Sequence, residues 1–299
     1  MYRQTLVLIL AGASALLALE PKRAELHSSY PMQPGAALTV ININGSIEIS
    51  GWDQSTIDIV ATKYAETAEL LDQVKVDVAT DSSGVHIRTI APESGNVGVK
   101  YAIKVPRSAQ LAEIRSTNGA LHINEIDGAA NLHTTNGAVR VAKVRGKLEI
   151  QTTNGAIDMQ EVEGEAQVRT TNGAVHASAV RGPLTATTSN GGVHADLEDS
   201  RGGPISLTTT NGGVDLKLGT VSQSSVKAIT TNGGITVRMP ASAGAHVKAE
   251  TSAHSRVQSD FDVRREGQNS PSHLEGVVGS GGPTLELTTS QGGIRLLKL

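Results

Sequence analysis

Residues 134–155, TTNGAVRVAKVRGKLEIQTTNG, decide the fold. The stretch opens and closes on the same four residues, and between them apolar positions alternate with polar ones. Val139, Val141 and Val144, then Leu148, Ile150 and Thr152, fall on one side; Arg140, Lys147, Glu149 and Gln151 fall on the other. A period of two marks strands with one buried face. Gly146 stands alone between the two Asn-Gly pairs, so the unit has two corners, one at Asn-Gly and one at the lone Gly.

The unit recurs on both sides. Asn118-Gly119, Asn136-Gly137, Asn154-Gly155, Asn172-Gly173, Asn190-Gly191, Asn211-Gly212 and Asn232-Gly233 follow one another at steps of 18, 18, 18, 18, 21 and 21 residues. Gly128, Gly146, Gly164 and Gly182 mark the second corner. Apolar columns keep register: Leu121, Val139, Ile157, Val175, Val193, Val214 and Ile235 in one, Leu132, Ile150, Val168, Ala186, Leu207 and Ala228 in another. Repetition at a fixed period is the signature of a stacked architecture.

Two folds accommodate such strands. Asn-Gly between alternating segments is a hairpin signal, which would give an antiparallel meander or barrel. An open meander of this length would need more strands than the roughly ten that open sheets usually hold, with no helices to cover its apolar face. A parallel β-solenoid closes each coil on itself and stacks like side chains at a rung of about 4.8 Å. The reading is therefore an all-β, parallel β-solenoid (β-helix) with coils of about 18–21 residues. The corner ladder is expected to take positive φ, which Gly and Asn tolerate best.

Outside the regular coils the pattern loosens. Residues 36–115 read as irregular N-terminal coils, with Asn44-Gly45 as an early corner and a short helix over Thr67–Val74. Residues 116–240 hold the TTNG repeats, and 241–299 an irregular coil and a C-terminal closing coil, since GPTLELTTSQGGIRLLKL (282–299) aligns with GPISLTTTNGGVDLKL (203–218). Residues 36–299 thus form a single solenoid domain, and 25–35 are expected to be a linker. Residues 1–24 read as a signal peptide: Arg3 precedes the apolar run Leu6–Leu19, and cleavage is expected between Ala15 and Ala24. This implies export to the periplasm or cell surface, with no stable membrane span after cleavage; retention of the run as an anchor stays open.

Composition limits the chemistry. Aromatic residues make up 2% of the chain, so Val, Ile, Leu and Ala must fill a thin core. The absence of cysteine excludes disulfides, thiolate metal sites and a Cys nucleophile. A net charge of −3 without basic clusters speaks against nucleic acid.

The stretch GSIEISGWDQSTIDIVATKYA, the TTNGAV and TTNGGV coils, and LEGVVGSGGPTLELTTSQGGIRL together resemble the DUF4097 or "putative adhesin" domain over about residues 35–299. The resemblance implies an exported bacterial β-solenoid associated with the cell envelope, adhesion or envelope stress. It carries over no catalytic residues.

Candidate chemistry is sparse. The column four residues after each Asn reads His122, Arg140, Asp158, His176, His194, Asp215 and Thr236. It could bind a divalent metal at His176, His194 and Asp158, but outward positions must be polar in any case. An exposed ladder also lacks the fixed geometry and the outer supporting groups of a metal site, so the reading is a solvated polar face and no metal or cofactor is expected. Glu161 and Glu163 flank Val162 and could form a glycosidase pair, although two carboxylates at a set separation and sugar-stacking rings are not otherwise apparent. Nucleophile-elbow, zincin and phosphate-loop motifs are absent from the sequence. The expectation is a non-enzymatic, adhesin-like envelope or surface scaffold that binds an envelope glycan or protein, with end-to-end self-association through open coil ends. An envelope-stress sensor and a carbohydrate-active enzyme are the alternatives.

Overall fold

The computed structural model describes residues 21–219, 224–252 and 254–299. The expected signal peptide falls almost wholly outside them. The N-terminal part comprises β1 (Lys22–Pro31), β2 (Ala37–Asn44), β3 (Ile47–Trp52), β4 (Thr56–Ala65), α1 (Ala68–Gln73), β5 (Lys75–Thr80), β6 (Gly84–Ile90) and β7 (Gly98–Pro106). Next come β8 (Gln110–Asn118), β9 (Leu121–Ile126), β10 (Ala130–Thr134), β11 (Val139–Arg145), β12 (Leu148–Gln151), β13 (Ile157–Glu163) and β14 (Ala166–Arg169). They continue with β15 (Val175–Arg181), β16 (Leu184–Thr187), β17 (Val193–Asp199), β18 (Ile205–Thr208), β19 (Val214–Leu218), β20 (Val226–Asn232) and β21 (Ile235–Met239). The C-terminal part is β22 (Ala245–Glu250), β23 (Val257–Ser259), β24 (Val263–Arg265), β25 (His273–Val278), β26 (Thr284–Gln291) and β27 (Ile294–Lys298).

These strands form two sheets, of 13 and 14 strands, whose middles are parallel throughout. Each coil contributes one strand to each sheet. The register carries the expected columns rung by rung: Leu121 sits beside Val139, Val139 beside Ile157, and Leu132 beside Ile150. Both columns are buried between the sheets. The result is the parallel solenoid, and the antiparallel alternative fails in the repeat region. Tyr101 is the largest fully buried side chain, Phe261 the other ring in the core, and the rest is built mainly from aliphatic rows.

The ends depart from chain order. At the N-terminal pole, β2 and β3 lie inside, between β8 and β9 on one side and β6 and β7 on the other. Antiparallel β4 and β1 cover one sheet, and antiparallel β5 covers the other. At the C-terminal pole, β26 and β27 lie between β20–β21 and β22–β23. The coil expected to close the solenoid is therefore second from the end. Its threonine and aliphatic rows register with those of Asn232's coil, Thr289 beside Thr230 and Leu285 beside Val226, while AHVKAE (245–250) has its own alternating face to stack on the far side. Most of the segment expected to be a linker, residues 25–35, belongs to β1, which pairs with β4 along ten residues. Its side chains are mostly exposed, so backbone bonding rather than an apolar pattern holds it. The helix α1 forms where expected, with Thr67 as N-cap accepting from the Leu70 N–H.

Candidate functional site

Every residue of TTNG has a separate role in stacking. The first Thr points inward and donates its hydroxyl to the carbonyl of the glycine one coil back. Thr134, Thr152, Thr170, Thr188, Thr209 and Thr230 do this at 2.7–3.0 Å. The carbonyl of the second Thr accepts the Asn backbone N–H of the next coil at 2.8 Å. Each Asn side chain then donates its amide to the Oδ1 of the Asn before it. This chain runs from Asn232 through Asn211, Asn190, Asn172, Asn154, Asn136 and Asn118 to Asn44, at 2.7–2.8 Å throughout. Asn44 ends it by donating to the Val97 carbonyl at 2.9 Å.

The glycine differs from expectation. Gly119, Gly137, Gly155, Gly173, Gly191, Gly212 and Gly233 are not in the left-handed region; in this row only Gly45 and Gly292, in the flanking coils, have positive φ. The regular positions need glycine because coils approach too closely there. A Cβ on Gly155 would lie 1.9 Å from the Gly137 carbonyl oxygen, and the other six would meet a similar obstacle at 1.9–2.2 Å. Positive φ belongs to the second corner, at Gly146, Gly164 and Gly182.

A third bend escapes a search for glycine. Glu125, Lys143, Glu161 and Ala179 have φ of 52–59°, each 18 residues from the next. They account for the inward spacing Val139, Val141, Val144, where one step is three residues rather than two. The longer coil at Val193, Ala195, Leu197 keeps strict alternation and lacks the bend.

The outward column lies on the 13-stranded sheet. The register places His122, Arg140, Asp158, His176, His194, Asp215 and Thr236 on successive rungs, and adds Glu48 and Arg295 at its ends. His176 Nδ1 lies 3.2 Å from Asp158, and Arg140 Nε lies 3.6 Å from the same carboxylate. His122 Nδ1 lies 3.8 Å from Glu48, and His194 Nδ1 lies 3.9 Å from Asp215, which also pairs with Arg238. The His176 and His194 rings are 6.4 Å apart. Among the described residues no three His, Asp or Glu side chains converge on one point suitable for a metal ion.

Two residues along each strand, a second outward column reads Ser50, Asn124, Ala142, Gln160 and Ser178. The 18-residue step marks this column in the sequence, but only the known register shows that it flanks the first. Together they line a groove of about 580 Å³.

Beyond it, at the bend, charges of opposite sign interlock. Arg107 bridges Asp53 and Glu125 at 2.9 and 2.5 Å, Lys143 reaches Glu125, and Arg145 reaches Asp127. Hydrogen bonds from Arg107 and then Lys143 hold Glu125 below the usual carboxylate range. Arg201 does the same for Glu163, and Glu198 raises Arg181. A general acid of a glycosidase needs a raised pKa. Glu163 is shifted the other way, and Glu161 sits exposed at the bend. Glu163 belongs to the ionic lattice through Arg145 and Arg201, and Glu161 makes no ion pair with another described residue.

The Toastrack DUF4097 family model matches residues 36–224. No curated protein matches the chain. Among solved structures, a "putative cell adhesion protein" from Clostridium sporogenes is 13% identical, with 94% of this chain and 100% of that one covered and a TM-score of 0.25. A "putative adhesin" from Bacteroides fragilis is 10% identical, with coverages of 93% and 99% and a TM-score of 0.43. Another from Parabacteroides distasonis is 9% identical, with coverages of 93% and 98% and a TM-score of 0.39. Because the family match takes in more than half of its residues, the chain belongs to the Toastrack DUF4097 family.

Proposed function

We propose that the protein is a non-enzymatic, adhesin-like scaffold of the cell envelope or surface, whose outer sheet faces bind an envelope glycan or protein. One observation supports this reading above the others. The column from Glu48 to Arg295 sets polar and ionisable groups on consecutive rungs, so its chemistry is spread along a line. A linear array suits an extended partner, whereas catalysis gathers several groups around one reacting atom. Export belongs to the same reading, which rests on the apolar run Leu6–Leu19. Among the described residues no helix is long and apolar enough to cross a membrane.

The test is a photo-crosslinking residue placed in cells at position 122, 140 or 194. A discrete envelope partner captured from this face supports the scaffold. Failure to capture any partner from all three positions, or recovery of the protein only in the cytoplasm on fractionation, overturns it.

A further inference from the structure

The groove on β3, β9, β11, β13 and β15 has an uneven division of labour between its two columns. On one side the charged groups are paired with each other in part: Asp158 lies between Arg140 and His176, and Glu48 faces His122, whose Nε2 is buried without a hydrogen-bond partner among the described residues. The other side carries no charge. There Asn124 and Gln160 make no side-chain hydrogen bond to another described residue. The methyl of Ala142 leaves a notch between these two amides, opposite Arg140. Five rungs give the groove a length of about 19 Å along the solenoid axis.

Three classes of extended ligand can be compared with this lining. A polyanion would require a basic strip, but the lining holds Glu48 and Asp158 against Arg140. An extended peptide is usually gripped by an open strand edge or apolar pockets. These five strands are bonded on both sides, and the groove presents polar side chains. A neutral polyhydroxyl chain needs donors and acceptors in planar pairs. Amides, carboxylates and guanidinium groups supply such pairs. It also tolerates a wet site in which water bridges the remaining gaps.

We propose that this groove binds an uncharged glycan chain laid along the solenoid axis, with the Asn124 and Gln160 amides as its main hydrogen-bonding groups. The proposal rests on the surface-binding reading above and gives it a ligand class. Successive sugars would meet at least one polar or charged side chain at each rung, so affinity grows with chain length until the five rungs are filled.

Calorimetric titration of the full chain tests this with tetra- to hexasaccharides of the cellulose, chitin and mannan types, and with oligogalacturonate as an anionic control. Trp52 is the only tryptophan and lies on β3 two residues beyond Ser50, so its fluorescence gives a second readout. At least one neutral series should bind. Asn124→Ala with Gln160→Ala should weaken binding about tenfold or more, and Ala142→Arg should abolish it by filling the notch. Gln151→Ala, on the other sheet, should bind as the parent does. Binding of no neutral series, preference for the anionic chain, or undiminished binding by both groove variants overturns the proposal. A protein captured at position 140 without glycan binding would sink this inference and leave the scaffold reading standing; failure of both experiments would sink both.

Discussion

The repeat region between Ser116 and Met239 and the two poles solve the same problem by different means. In the repeat region each coil meets near-copies of itself, so one set of local matches, applied again and again, is sufficient. Thr meets a glycine carbonyl, Asn meets Asn, and aliphatic rows meet aliphatic rows. The poles have no copy to lean on. There the chain doubles back, threads an early or late coil beneath an outer one, and lays antiparallel strands on top. The N-terminal pole also buries a tyrosine hydroxyl in a polar network that the repeat does not contain. Tyr101 shares a buried hydrogen bond with Thr89, which donates to Asn42. Asn42 occupies the rung position of the threonine row, beside Ser116. Repetition supplies stability cheaply but leaves open edges; closure needs sequence that breaks the repeat.

The sharpest way to break this comparison is Gly155→Val. The added Cβ would lie 1.9 Å from a backbone oxygen that cannot move without opening the ladder. A loss of about 3–5 kcal/mol is expected, read by denaturant unfolding, with hydrogen exchange rising first in the flanking coils. Gly202→Ala is the matched control: φ is +78° but nothing lies within 4 Å, so strain alone should cost about 1 kcal/mol. Equal effects would refute the close-contact account.

Tyr101 tests the pole. Burial pushes its phenol up to about 12, whereas an unfolded tyrosine titrates near pH 10. The folded state therefore holds its proton while the unfolded state loses it. Stability is full below pH 10 and falls between 10 and 12, by up to about 2–3 kcal/mol. Tyr101→Phe should flatten that alkaline limb; an unchanged limb would assign it elsewhere.

Thr170→Val probes one rung of the inner ladder. It keeps the shape and removes the donor to the Gly155 carbonyl. A loss of about 1 kcal/mol is expected in thermal unfolding, and none would make the hydroxyl row incidental. The smallest effect has the opposite sign. Lys143 sits at φ 54° and, among the described residues, makes only an exposed ion pair with Glu125. Lys143→Gly should gain about 0.5 kcal/mol, as relief of left-handed strain outweighs the entropy cost of glycine. A clear destabilisation would show that the bend needs its side chain.

Much of this architecture was legible because side chains in a parallel stack obey one register. The inward rows, the Asn corners and the outward column from His122 to Thr236 could all be read by counting 18 or 21 residues. Thr67 and the following AELLDQ carried enough capping chemistry to place the helix. Other features depend on what lies one coil away. Nothing local distinguishes a glycine that needs positive φ from one that needs room, so Gly155 and Gly146 looked alike. Lys143 is bent because Val141 and Val144 must both face inward, a three-residue step that was visible although its geometry was not. β1 has no alternating pattern because only its backbone is engaged. The burial of β26 and β27 beneath β22 and β23 is a choice between two compatible neighbours, which alignment of similar coils cannot make. The groove was missed for a related reason: Asn124 and Gln160 are ordinary surface residues until the register sets them on either side of Ala142, beside the column of His122, Arg140 and Asp158.

The unequal threading of the two poles matters when the molecule is pulled. Among the described residues, β27 is bonded to a strand on each side, whereas β1 is bonded only to β4. Tension drawn through the last residues must slide two ladders at once; tension drawn through the first needs to slide one. Under load applied at β1 and β27, β1 should therefore peel from β4 first, with β27 still seated between its two neighbours.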